Sequence, residues 1–262
     1  MMDWPLTDMH LHATRYRLSS IRPDMTVANI VRRLEASTYV VGGIVEHLEP
    51  GPKHPVDCLE AMVNEFRSIC SPVELFVGVE LDYRGDTITF PRAAKVKHRL
   101  ALDFCLAAAH GIGDGITSTA AFVEDHHRRL MGIVERCDYV DVIAHPWSDG
   151  HGLVRRGLAS EWRLECVPER YLREFVDAAK HHGKAIEINR KVLADAGDPA
   201  FARYLALLQD ARVPLTVASD AHSIDQIGST GPLNTLLQEA GLVCGCLWKP
   251  TAAQRSTIPR WS

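Results

Sequence analysis

Near its amino end the sequence reads Leu6-Thr-Asp-Met-His-Leu-His12, a short run in which Asp8, His10 and His12 alternate with apolar residues. Successive side chains of a β-strand point to opposite faces, so Asp8, His10 and His12 share one face. The run is short and otherwise apolar, as buried strands are. It therefore predicts a first strand that presents one carboxylate and two imidazoles on the same side.

Six further apolar runs follow, mostly bounded by glycine, proline or polar residues. We predict seven strands in all, at residues 6–11, 39–45, 75–81, 102–109, 140–144, 185–188 and 215–218. Between them, apolar residues at three-to-four spacing predict helices at residues 27–36, 56–69, 118–137, 168–182, 198–212 and 235–240. Residues 83–99 break this rhythm, because Arg84-Gly85-Asp86 is typical of a turn between short extended pieces.

Strands that alternate with helices predict right-handed crossovers and a parallel sheet, the arrangement of the α/β class. The chain has 262 residues and no internal repeat or linker, so we expect one domain over residues 1–262. Seven strands at this length favour a closed or nearly closed (β/α)7 barrel similar to the TIM barrel.

The composition is that of an ordinary globular protein, with 46% apolar and 24% charged residues. A formal net charge of −4 gives no electrostatic reason to expect nucleic acid as a partner, except as a short oligonucleotide substrate. No apolar run approaches the roughly 20 residues of a membrane span, and no secretory leader is visible. Seven cysteines without a regular framework favour reduced thiols, so we expect a cytoplasmic protein.

Histidine is abundant, with 13 residues, and several of them come where a predicted strand ends. The carboxyl ends of the strands surround one mouth of a βα barrel, so these side chains should converge. Imidazole and carboxylate groups together are ligands of Zn, Mn and Fe. The ordered set predicts a metal site with the ligands His10, His12, His47, Glu80, His110, His145, Asp220 and His222.

Other histidines are expected to serve no metal. His126-His127 and His181-His182 lie within or near the ends of helices, where solvent or a helix carboxyl end would be their partner. Trp147 follows His145-Pro146 and has two open interpretations, a wall beside the substrate or a buried packing residue.

The order of these residues resembles that of the PHP (polymerase and histidinol phosphatase) superfamily. The segments that carry the resemblance are Thr7-Asp-Met-His-Leu-His12, Glu46-His47, Gly78-Val-Glu80, His110, Ala144-His-Pro146 and Ser219-Asp-Ala-His222. Glu187-Ile-Asn189 is also similar to the sixth strand of histidinol-phosphatase-like members. The resemblance implies a distorted seven-stranded (β/α) barrel that binds two or three divalent metal ions and hydrolyses phosphate esters.

The resemblance also implies a role for each ligand. One ion would be held by His10, His12 and Asp220, a second by Glu80 as a bridge with His110 and His145, and a third by His47 and His222. The family usually supplies a further ligand about five to six residues after its His-x-His pair. Residues 13–18 contain no Asp, Glu or His, which sets this chain apart from that pattern.

The expected reaction is the hydrolysis of a phosphate monoester or diester of a small substrate by a metal-activated water. The predicted catalytic residues are Glu80, Asp220, His222 and His47, with His222 or His47 as proton donor to the leaving group if it holds no metal. Asp8 and Glu46 would orient the metal ligands through hydrogen bonds.

Phosphate binding is predicted for three arginines, because a guanidinium group matches two phosphate oxygens. These are Arg15, Arg17 and Arg190, and Lys191 follows at the same mouth. Since Arg15 and Arg17 stand where the family has its further ligand, an arginine there would replace the charge of the third ion.

Two alternatives remain open at this point. An amidohydrolase-type barrel also begins with His-x-His and ends with a strand aspartate, and it cleaves amides, lactones or phosphotriesters. Such barrels commonly carry a bridging lysine on the fourth strand, where this sequence has none. The second alternative is a protein- or nucleotide-binding module in which the metal is only structural.

Overall fold

The structure is a computed structural model that describes residues 5–13, 21–50 and 55–251. Within these ranges the strands are β1 (Leu6–His12), β2 (Tyr39–Leu48), β3 (Glu74–Arg84), β4 (Thr87–Ile88), β5 (Phe104–Ala108), β6 (Val142–Ile143), β7 (Ala185–Asn189) and β8 (Leu215–Ala218). The helices are α1 (Val27–Glu35), α2 (Pro55–Arg67), α3 (Ala93–Arg99), α4 (Thr119–Arg136), α5 (His151–Arg155), α6 (Glu169–His181), α7 (Pro199–Ala211) and α8 (Gly231–Glu239). No helix in these ranges has both the length and the apolar character that a membrane span requires.

Seven strands form a parallel sheet in the order β1-β2-β3-β5-β6-β7-β8, and β4 pairs antiparallel with β3. The two edges of this sheet meet where Leu11 pairs in parallel with Ala221. At this seam the His12 N–H donates to Ala221 O at 3.1 Å, and the Ala221 N–H donates to His10 O at 3.3 Å. The sheet is thus nearly closed, which confirms the predicted α/β class and the distorted (β/α)7 barrel.

The strand register brings the polar strand ends to a common level. His47 on β2 lies opposite Glu80 on β3, and Asp82 on β3 lies opposite Ala108, the last residue of β5. His110 comes two residues after Ala108 and therefore lies at the same level of the barrel.

The inside of the barrel has an apolar lower layer beneath these polar ends. Phe76 and Glu80 are four residues apart on β3, so their side chains face the same side of the sheet. Phe76 packs in a buried apolar cluster with Val45, Phe104 and Leu106. This apolar layer lies beneath the polar side chains of the strand ends.

The helices α1 and α4 each begin with a capping side chain. Thr26 accepts a hydrogen bond from the Asn29 N–H before α1, and Ser118 accepts one from the Ala121 N–H before α4. Gly183 follows α6 with a φ of 65°, a conformation that favours glycine at a helix end.

Some elements differ from the sequence pattern. The helix α3 has only two buried side chains, and its preceding Arg92 makes no capping hydrogen bond, so neither an apolar stripe nor a cap marks it. The strand β6 has two residues where the apolar run 140–144 predicts five. The helix α8 begins at Gly231, four residues before the predicted start, because Pro232 fits the first turn of a helix.

Candidate metal centre

The structure brings all eight predicted ligands into one cluster at the carboxyl ends of the strands. Their positions are β1 for His10 and His12, β2 for His47, β3 for Glu80, and the segments just after β5, β6 and β8 for His110, His145, Asp220 and His222. All are buried except His110 and His222, which are half-buried. Three overlapping groups among them have ligand atoms that all lie within 4.8 Å of one another.

The first group consists of His10, His12 and Asp220. His12 Nε2 lies 3.0 Å from His10 Nε2 and 3.1 Å from Asp220 Oδ1. The third side of this triangle, from His10 Nε2 to Asp220 Oδ1, is 3.6 Å. Two imidazole nitrogens and one carboxylate oxygen thus face a common point.

The Glu80 carboxylate lies at the centre of the cluster. Five imidazoles have a nitrogen within 3.0–3.6 Å of its oxygens, namely His10, His12, His47, His110 and His145. Oε1 faces His110 and His145, whereas Oε2 faces the other three imidazoles. A carboxylate placed in this way can bridge two ions, and it joins the first group to the second, which is His10, Glu80 and His145.

The third group is His12, His47 and His222. The rings of His12 and His47 stack with their centroids 4.3 Å apart, and the rings of His12 and His222 are 4.4 Å apart. His222 donates its Nδ1–H to the Asp220 carbonyl at 2.9 Å, so its Nε2 is left with a lone pair.

Acidic side chains fix the protonation of two further imidazoles. His10 donates its Nδ1–H to Glu187 Oε2 at 2.8 Å, and Glu187 Oε1 in turn accepts from Asn189 Nδ2 at 2.8 Å. His110 donates its Nδ1–H to Asp82 Oδ1. Because Nδ1 donates in both rings, Nε2 is the nitrogen that faces the cluster, and it offers a lone pair to a metal ion once its own proton has left. The sequence analysis did not assign this role to Asp82 or Glu187.

The acids expected to orient the ligands, Asp8 and Glu46, hold backbone groups instead. Asp8 Oδ1 accepts from the Ser219 N–H at 2.9 Å, and Glu46 Oε1 accepts from the His47 N–H at 2.9 Å. Arg190 also contacts this backbone, since its Nε–H donates to Ser219 O at 2.8 Å. Asp8 and Arg190 thus fix Ser219 from both sides, immediately before the ligand Asp220.

Two ligands occupy the left-handed region of backbone conformation. The φ angles are 27° for His145 and 54° for Asp220. Non-glycine residues reach this region at a cost of about 1–3 kcal/mol, which the surrounding structure must offset. Such strain is typical of functional sites, and here it aims an imidazole and a carboxylate into the cluster.

Arg129 on α4 holds the segment that carries His110. Its guanidinium donates to three successive carbonyls, those of Ala109 and His110 at 2.9 Å and that of Gly111 at 2.8 Å. Its Nε–H donates to Asp125 Oδ2 at 2.9 Å, and the side chain is buried. Sequence reasoning missed this residue, because only the packing of α4 on the barrel shows which carbonyls it reaches.

The surrounding charges keep both carboxylates of the cluster ionised. Burial raises the pKa of Glu80, but His110 and the other imidazoles outweigh burial and hold this pKa well below its usual value. Burial also raises the pKa of Asp220, but the charges of His10 and Lys191 outweigh burial and hold this pKa well below its usual value. Ionised carboxylates are the form that binds metal ions.

These residues fit a divalent metal ion. Glu80 Oε2 is buried and makes no hydrogen bond, although imidazole nitrogens surround it. A buried carboxylate oxygen that accepts no hydrogen bond is costly unless a cation satisfies it. Because Nε2 of His10 and Nε2 of His110 also face the cluster, the donor set is that of a divalent-metal site.

A cavity of about 430 Å³ opens beside the cluster. Five of the ligands line it, namely His47, Glu80, His110, Asp220 and His222, and its wall carries the cations Arg84, Arg155, Arg156 and Lys191. Lys191 Nζ lies 2.7 Å from Asp220 Oδ2, so this lysine contacts the metal cluster directly. Of the predicted phosphate-binding arginines, Arg15 and Arg17 lie outside the described residues.

Trp147 and His126 are packing residues of the segment that follows β6. Trp147 is buried with a φ of 68°, and its ring packs edge-on against Phe175. His126 Nε2 accepts the Trp147 N–H at 3.1 Å. The expectation that His126 is solvated is wrong, because it lies on the buried face of α4 together with Phe122 and Arg129.

No protein-family model matches the sequence, and no curated protein matches it either. Among solved structures, the histidinol phosphate phosphatase of Lactococcus lactis, complexed with zinc, L-histidinol and phosphate, is similar with a TM-score of 0.63. It is 16% identical, and the alignment covers 90% of this chain and 94% of that chain. The ochratoxinase of A. niger has a TM-score of 0.45 at 14% identity, with 96% of this chain and 71% of that chain covered. At these identities the likeness to the phosphatase establishes a shared barrel fold.

Proposed function

We propose that this chain is a metal-dependent phosphoesterase that acts on a small phosphorylated substrate. One observation carries the proposal: imidazole and carboxylate ligands from six strand ends converge on Glu80 at the base of a cation-lined cavity. Such a donor set binds divalent ions, and a cation-lined cavity beside it suits an anionic ester. The shared fold with a phosphatase agrees with this assignment.

The proposed cofactors are two or three ions of Zn, Mn or Fe, since mixed imidazole and carboxylate sites accept all three metals. The first ion would lie among His10, His12 and Asp220. Glu80 would bridge it to a second ion, also held by His110 and His145. His47 and His222, with His12, form the group that would hold a third.

Divalent ions held there would lower the pKa of a water molecule and neutralise phosphoryl oxygens. The residues of the chain supply the rest of the reaction. Lys191 places a fixed positive charge at the cavity wall, where an equatorial phosphoryl oxygen would lie. His222 lines the same cavity and would give a proton to the leaving oxygen if it is not a metal ligand.

A lactonase or amidase of the amidohydrolase type is the less supported alternative. The bridging lysine of such barrels would belong on β5, which reads Phe-Cys-Leu-Ala-Ala and contains no lysine. The bridging position is instead that of Glu80 on β3.

The test is metal quantification on the purified protein, followed by turnover of phosphomonoesters, phosphodiesters and lactones with the same metal added back. We expect bound divalent metal and hydrolysis of phosphate esters. Activity on neutral lactones alone would refute the phosphoesterase assignment. Metal binding without any turnover would favour the structural alternative.

The His222→Gln variant separates the two roles of this histidine. A drop of one metal ion per chain would make His222 a ligand. Unchanged metal content, with a loss of activity that grows with the pKa of the leaving group, would make it the proton donor.

A further inference from the structure

The wall of the cavity beside the metal cluster carries a charge pattern that ester hydrolysis alone does not require. Apart from the proposed metal ligands and two glycines, seven of the described residues line this cavity: Asp82, Arg84, Ile112, Asp149, Arg155, Arg156 and Lys191. Four are cations, two are acids and one is apolar. The cavity, of about 430 Å³, is in the range of small-molecule sites.

Both acids of this wall already have partners. Asp82 accepts from His110 through Oδ1 and from Arg84 Nη2 through Oδ2, the latter at 3.0 Å. Asp149 accepts the backbone N–H of Gly111 through Oδ2. Asp82 thus accepts through both of its oxygens, and Asp149 accepts through Oδ2.

The cations of the wall are not all paired. Lys191 pairs with Asp220 and Arg84 pairs with Asp82. Arg156 donates Nη1 only to the neutral carbonyl of Ile112, at 3.4 Å. Within the described residues neither Arg155 nor Arg156 has a carboxylate within ion-pair distance, although the two are adjacent in sequence and both are exposed.

Two guanidinium groups on one cavity wall, with no carboxylate within ion-pair distance among the described residues, favour an anionic group in the cavity. A guanidinium group binds phosphate or carboxylate oxygens through two parallel hydrogen bonds. Among the described residues of this wall none is an aromatic residue that could stack on a leaving group, and Ile112 is the one apolar side chain. Charge is thus the main means by which this wall can recognise a leaving group.

We propose that the leaving group of the substrate carries a second anionic group, a phosphate or a carboxylate, that Arg155 and Arg156 bind while the scissile phosphate lies at the metal cluster. The proposal rests on the proposed phosphoesterase function. It excludes an ester with a cationic leaving group as the preferred substrate, because such a group would face the unpaired arginines.

The experiment compares kcat/KM for four esters of similar size. Glycerol 3-phosphate has a neutral leaving group, 3-phosphoglycerate adds a carboxylate, glycerol 1,3-bisphosphate adds a phosphate, and L-histidinol phosphate adds a cation. We expect one or both anionic esters to exceed glycerol 3-phosphate by at least about 10-fold, the value of one charge-assisted hydrogen bond. The comparison of 3-phosphoglycerate with glycerol 1,3-bisphosphate shows whether the site prefers a carboxylate or a phosphate as the second anion.

The variants Arg155→Gln and Arg156→Gln, alone and combined, should bring the anionic-to-neutral ratio toward 1, mainly through a higher KM. The matched control is Arg173→Gln, which removes an exposed arginine of α6 that pairs with Glu169. This control should leave the ratio unchanged.

The outcomes separate this inference from the proposed function. The second-anion site is wrong if kcat/KM for glycerol 3-phosphate or L-histidinol phosphate equals that for the anionic esters. It is also wrong if the arginine variants keep the preference for the anionic esters. In both cases the phosphoesterase function stands. If no phosphate ester is hydrolysed by the metal-loaded protein, the function itself is refuted.

Discussion

Glu80 is the residue on which the cluster depends most, because its two oxygens face different groups of imidazoles. The Glu80→Gln variant keeps the shape of the side chain and removes its charge. We expect it to lose bound metal and to lower kcat/KM by at least ~100-fold, since even changes to residues behind metal ligands cost about 10–100-fold. Metal analysis and turnover measure both effects.

The control for this variant is Glu174→Gln, which also neutralises one glutamate but pairs with His127 on an exposed part of the surface. It should keep full metal content and activity. A Glu80→Gln protein that retains its metal and its turnover would contradict the central position of Glu80.

His126 supports the segment after β6 in its neutral form. Burial lowers its pKa from 6.5 to about 3. The unfolded chain therefore binds more protons than the folded one between these values, so stability falls as the pH drops from about 6.5 toward 3. This contribution amounts to about 1.4 kcal/mol per pH unit in that window.

The His126→Gln variant removes this titration and keeps an oxygen that can accept the Trp147 N–H. Compared with the wild type, its unfolding free energy should decline less steeply between pH 6 and pH 4, which denaturant titrations measure. The His181→Gln variant changes an exposed histidine at the end of α6 and should follow the wild-type slope. Equal slopes in all three proteins would show that His126 does not titrate in this way.

The metal ligands could be predicted because each signal is local. The alternation of Asp8, His10 and His12 and the polar residues at the ends of apolar runs are visible in the sequence itself. The partners that fix the imidazoles were not visible. Nothing within the sequence around Asp82 or Glu187 shows that it will contact His110 or His10, because those contacts depend on the neighbours that each strand acquires in the barrel.

At the scale of single elements, α4 acts as a support for the carboxyl end of β5. Arg129→Lys keeps the positive charge but cannot donate to three carbonyls in a fixed plane. We expect metal affinity and kcat/KM to fall by roughly 10–100-fold, as for other changes behind a metal ligand. Metal titration monitored by calorimetry, with turnover at saturating metal, checks this.

Arg128→Lys is the matched control, because Arg128 is the neighbouring, half-exposed arginine and pairs with Asp86 and Asp125 outside the cluster. It should behave as the wild type. If Arg129→Lys loses stability but binds metal as tightly as the wild type, Arg129 serves the fold and does not position His110.

Elements with a clear apolar pattern followed from the sequence, even the four-residue strand β8, whereas the short helix α5 did not. The strands β2 and β3 and the helices α1 and α4 have enough apolar positions to show a period. The helix α5 has five residues and only two buried positions, too few for a period. Yet α5 ends in Arg155, which lines the cavity. A helix that the sequence pattern did not predict therefore contributes to the proposed substrate site.

At the scale of the whole molecule, the barrel is closed at a narrow seam between β1 and the segment after β8. One bridge pair and two backbone hydrogen bonds join these segments, whereas β2 and β3 are paired over eight residues. The first metal group spans the same seam, with His10 and His12 on one side and Asp220 on the other. An ion bound there would therefore link the two edges of the sheet.

Removal of the metal should thus open the seam before the rest of the barrel. At free metal about 100 times the dissociation constant, binding stabilises the bound form by about 2.7 kcal/mol, or roughly 100-fold in the opening equilibrium. After chelation, the amide hydrogens of His12 and Ala221 should exchange with deuterium up to roughly 100-fold faster. The Val77 amide, which donates to Asp103 Oδ2 at 2.8 Å low in the barrel, should keep its rate. If all three amides accelerate together, the ions stabilise the whole fold and not the seam, and if none does, no ion lies between β1 and Asp220.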